Sequence, residues 1–60
     1  MTPLQHEALD RTHIMLQFIE TSLVDHPFIA DIGEFTVLVD EVLTKLNTLY
    51  QAIGAYDENA

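Results

Sequence analysis

The sequence predicts an all-α fold: a two-helix antiparallel hairpin that pairs with a second copy into a four-helix bundle. Three observations lead there. Apolar residues recur at alternating spacings of three and four along two segments, the period of a helix that keeps one stripe toward a partner. An Asp25-His26-Pro27 break separates those segments. Finally, 48% of the 60 residues are hydrophobic and only 20% charged, which is more apolar material than so small a domain can cover by itself.

The first helix is expected over about residues 3–24. Thr2 is placed to cap it, Pro3 suits the first helical position, and Gln5 stands where a capping box places Glu or Gln. Leu9, Thr12, Leu16, Ile19 and Leu23 then form the stripe, widened by Ala8 and Met15. Proline pushes the residue before it out of the helical region, so the helix ends near Val24 and His26 reads as a loop residue.

The second helix is expected over about 28–53. Phe28, Ile32, Phe35, Val39, Val42, Leu46, Leu49 and Ile53 keep the spacing without a polar interruption. Its start lies between Pro27 and Glu34, because His26-Pro27 can open a helix and Asp31-Ile32-Gly33-Glu34 also reads as a capping box. A helical turn over 27–31 followed by a continuous helix accommodates both, with Gly33 as the soft point. Gly54 supplies a residue suited to a left-handed C-cap. The domain is therefore 1–54, with 55–60 a flexible acidic tail.

A lone hairpin buries one narrow stripe per helix. Leu4, Ile14 and Phe18 project away from the first stripe, and Leu38, Leu43 and Tyr50 lie beside the second. Burying a large apolar side chain contributes about 1.5–3 kcal/mol, so several left in water forfeit a small domain's whole stability. Without cysteine, no disulfide or thiolate-bound metal compensates. A homodimer is the commonest closed assembly. Its expected interface combines Leu9, Leu16, Ile19, Leu23, Phe35, Val39, Val42, Leu46 and Leu49 with the flanking Ile14 and Phe18. In outline the architecture resembles small dimeric helical-hairpin regulators, a likeness of shape that carries no function.

Ten carboxylates against Arg11 and Lys45 give a net charge of −8. Such a chain repels phosphate backbones and anionic lipid, so neither direct nucleic-acid nor membrane binding is expected. No apolar run approaches the roughly 20 residues that span a bilayer, and the start lacks a signal-peptide pattern. A cytoplasmic protein is the expectation.

One constellation has metal-ligating chemistry. His6, Asp10 and His13 stand at i, i+4 and i+7, on one helical face, and imidazole with carboxylate suits zinc, iron or nickel. Bound metals in helical bundles draw inward carboxylates from several helices, however, and the second stripe has none, so a solvated polar face is the preferred reading and no cofactor is expected. The absence of cysteine, the lone Ser22 and the isolated Gly33 and Gly54 point away from an enzyme. A small acidic regulator or adaptor, acting by protein–protein interaction as a helical homodimer, is the leading function. An acidic mimic of nucleic acid that blocks a basic groove, a metal-binding bundle and a structural subunit of a larger complex are the alternatives.

Overall fold

The computed structural model describes residues 1–57 and contains three α-helices, two of them long, with no strand among the described residues. α1 spans Pro3–Ile19 and continues through a π-helical stretch, Glu20–Val24. α2 spans Pro27–Asp31, and α3 spans Gly33–Ala55. The fold is all-α, and among the described residues no helix is long and apolar enough to cross a membrane.

α1 opens on Thr2, whose backbone is extended and whose hydroxyl accepts the Gln5 N–H at 3.1 Å, with Pro3 following. The Gln5 side chain reaches across to the other end of the chain. Its Nε2 donates to the carbonyls of Ile53 at 2.7 Å and Tyr56 at 3.0 Å. This clamp sets α1 and α3 antiparallel, side by side, and the rings of His13 and Tyr50 meet further along at 5.9 Å. It also changes the role of Gly54. The end of α3 needs no left-handed cap because α1 supplies donors to its carbonyls; Gly54 keeps a negative φ and the helix runs on to Ala55. Gly54 instead lies against Leu9, whose Cδ1 is 3.7 Å from where a Cβ would stand. Gln5→Ala removes both cross-chain bonds and is expected to lower stability by about 1–2 kcal/mol, read as a shift in the urea midpoint. An unchanged midpoint would show that the clamp is dispensable.

α1 widens into the π-helical stretch Glu20–Val24, within which the Thr21 hydroxyl donates to Gln17 O at 3.0 Å and Phe18 O at 3.2 Å. The chain then re-enters a helix through His26, which is the N-cap of α2 and not merely a loop residue: its Nδ1 accepts the Phe28 N–H at 3.3 Å.

The helical turn expected over 27–31 is α2 and the continuous helix expected after it is α3, but the two are divided by a break where an unbroken helix over 28–53 is also expected. Ile32 adopts an extended conformation (φ −114, ψ 107) and separates α2 from α3. Asp31 closes α2 instead of capping α3, which begins on Ile32 without a side-chain cap. Thr36 spans the break, its Oγ1 donating to Ile29 O at 3.1 Å and Ile32 O at 3.3 Å, and Phe28 and Phe35 stack at 5.7 Å across it. The apolar spacing 28, 32, 35 runs through the break undisturbed, which is why periodicity alone conceals it. At the other end, the tail expected over 55–60 begins with Ala55 still helical; residues 58–60 lie outside the described residues.

The result is one layer of helix. The Cα extents are 46 × 17 × 8 Å, and the radius of gyration, 14.2 Å, exceeds the roughly 10 Å of a compact 60-residue domain. The exposed surface is 4724 Å², whereas a compact monomer of 6.8 kDa presents roughly 4,000 Å². No apolar side chain is fully buried; among the described residues only Thr12 is, at 8% exposure, with its hydroxyl satisfied by Ala8 O at 2.8 Å.

Candidate functional site

The seam between the long helices takes half-buried Leu9, Leu16 and Ile19 from α1 and Phe35, Val39 and Leu46 from α3. Leu43, Tyr50 and Ile53 complete it from α3. Val42 and Leu49, which the apolar spacing also places in line, lie one residue to the side, exposed at 48% each. Leu23 and Val24, in the π-helical stretch, are exposed at 39% and 38%. Ile14 and Phe18 are exposed at the outer edge of α1, where they border a shallow groove with Gln17 and Thr21.

Two broad faces remain on either side of the seam, and they differ in chemistry. On α1, residues 4, 8, 11, 15 and 18 keep spacings of four and three, so they share one side. On α3, residues 38, 42, 45, 49 and 52 do the same. These two rows belong to a single face, because Leu4 and Ala52 line one groove together with Ile53 and Tyr56. A second groove of about 510 Å³ on that face is bordered by Leu38, Glu41, Val42, Lys45, Leu46 and Leu49. Met15 is 51% exposed there and Leu38 49%. The face is apolar along its middle, and both cations of the chain, Arg11 and Lys45, stand within it. Arg11 pairs with Glu7 at 2.7 Å.

The opposite face is polar. His6, Asp10, His13 and Gln17 occupy it on α1, and Thr36, Asp40, Asn47 and Gln51 on α3. His6, Asp10 and His13 do border one shallow depression with Leu9 and Tyr50, as their spacing requires. Even so, no three His, Cys, Asp or Glu side chains among the described residues are arranged to hold a metal ion. His13 lies against the Tyr50 ring, tilted at 46°, a packing contact instead of a ligand position.

Sequence reasoning found the apolar surplus but not its sidedness. The signal was present: 4, 8, 11, 15, 18 and 38, 42, 45, 49, 52 are each a regular helical row, and only their union across two antiparallel helices makes a surface. No protein-family model, curated protein or solved structure matches the chain.

Proposed function

We propose that this chain is a small acidic, non-enzymatic regulator or adaptor that binds another protein, working in the cytoplasm as a homodimer of helical hairpins joined in a four-helix bundle. The observation that carries the reading is the lack of any buried apolar side chain among the described residues of a single chain. A fold whose every large apolar group touches water has no core of its own, and marginal stability leaves no room for that loss. A second layer of helices, about 10 Å away, turns the exposed face into an interior. The residue inventory supplies no nucleophile with a partnered base and no phosphate-cradling loop, so the reading assigns binding instead of chemistry. The net charge of −8 favours a basic surface on the bound protein.

The test joins light scattering on the purified chain to affinity capture from its native cell. The expected result is twice the 6.8 kDa chain mass and a protein retained in stoichiometric amount. A folded monomer that retains nothing would overturn the reading. Phe18→Glu, at a side chain 63% exposed, separates two roles: loss of the dimer places Phe18 in the paired core, whereas a persisting dimer that no longer retains its protein places it in the recognition surface.

A further inference from the structure

We propose that the second copy seats on the apolar face of Met15, Leu38, Val42 and Leu49, so that the His6–Asp10–His13 face points outward on both sides of the pair. This rests on the reading that the chain pairs with itself and adds which of its two faces does so.

Two observations select that face, and a third supports stacking of the broad sides. The first is apolarity: Leu4, Met15, Leu38, Val42 and Leu49 are all between 48% and 78% exposed on it, whereas the other face presents Asp10, Gln17, Asp40 and Asn47. The second is charge. Two copies at −8 each repel, and a contact forms only where that repulsion is locally offset. Arg11 and Lys45, the only Lys or Arg residues in the chain, both lie on the apolar face, with Glu7 and Glu41 beside them as counter-charges for a facing copy. The opposite face has the carboxylates of Asp10 and Asp40 and no Lys or Arg, so joining two such faces would supply no side chain of fixed positive charge to offset the repulsion.

The third is area. A compact assembly of twice the mass presents roughly 3,300 Å² per chain by the surface–mass relation, against 4724 Å² for the chain alone. Pairing thus removes up to roughly 1,400 Å² from each copy, above the roughly 800 Å² per partner of a standard stable interface. In a layer of 46 × 17 × 8 Å the broad sides offer about twice the area of the edges, so a contact of that size is made face to face.

Because the chain has no cysteine, single spin labels report the arrangement directly. Ala52→Cys and Asn47→Cys stand on opposite faces of α3, and neither removes a charge. Double electron–electron resonance on the two dimers is expected to give a distance across the pair longer for Asn47→Cys by on the order of 10–20 Å, about the thickness of the helices between them. Alongside, sedimentation equilibrium of Val42→Glu is expected to show a dissociation constant raised on the order of a hundredfold or more, while Asn47→Glu stays within about threefold of the parent, as exposed polar positions do. The reverse order of distances in an intact dimer would overturn the face assignment and leave pairing in place. A monomeric parent chain without dipolar coupling at either label would overturn the pairing itself.

Discussion

Leu46→Ala is expected to unfold the chain at ambient temperature, as loss of the 222 nm helical signal before urea is added. Leu46 is half-buried in the seam against α1 and also borders the apolar groove with Leu38, Val42 and Leu49, so it belongs to the intrachain contact and, in the paired state, to the contact between copies. Truncating a buried leucine costs about 2–5 kcal/mol. In a symmetric dimer the loss occurs twice, roughly 4–10 kcal/mol against a total of about 5–15 kcal/mol. Val37→Ala makes the comparison: its side chain is 56% exposed on the outer edge of α3, and its loss is expected to cost within about 0.5 kcal/mol. Equal, small effects of the two substitutions would mean that no second layer covers Leu46.

The helical class and the start of α1 follow from local signals that the structure repeats. Thr2 caps α1 and Pro3 follows it, because capping is decided within four residues. The Gln5 side chain went elsewhere: a capping box is a local preference, and the carbonyls of Ile53 and Tyr56 at the end of α3 attract a donor from across the molecule. The same competition removed the left-handed cap from Gly54. Register on α3 was ambiguous for a simple reason. Val42-Leu43 and Leu49-Tyr50 are apolar in both members, so either can face α1, and the choice falls to the ring of Tyr50 against His13. The separate turn over 27–31 was legible from His26-Pro27 and is α2; the extended Ile32 that ends it was not, since its apolar neighbours keep helical spacing on both sides. The π-helical stretch at Glu20–Val24 is a change in backbone hydrogen bonding to which hydrophobic periodicity is blind. Nor did a reading of single stripes show that both cations share the apolar face, which requires two helices side by side.

On the proposed pairing, the folded state of a chain with no core of its own responds to dilution. Each tenfold fall in concentration removes about 1.4 kcal/mol of stability from a dimer that unfolds to separate chains. Over three decades that is about 4 kcal/mol, comparable with the whole stability of so small a fold. The helical signal is therefore expected to vanish on dilution at constant temperature, and α1 and α3 to melt together, because α3's apolar face has no cover without the second copy. Kosmotropic salt is expected to move the transition to lower chain concentration, both by strengthening apolar burial and by screening the −8 charge of each copy. The most direct measurement is the 222 nm melting temperature of the unaltered chain across three decades of concentration, with sedimentation equilibrium at each end. A midpoint that rises steadily with concentration, and a mass twice 6.8 kDa wherever the chain is helical, is the expected result; a cooperative midpoint independent of concentration in a helical 6.8 kDa monomer would contradict it.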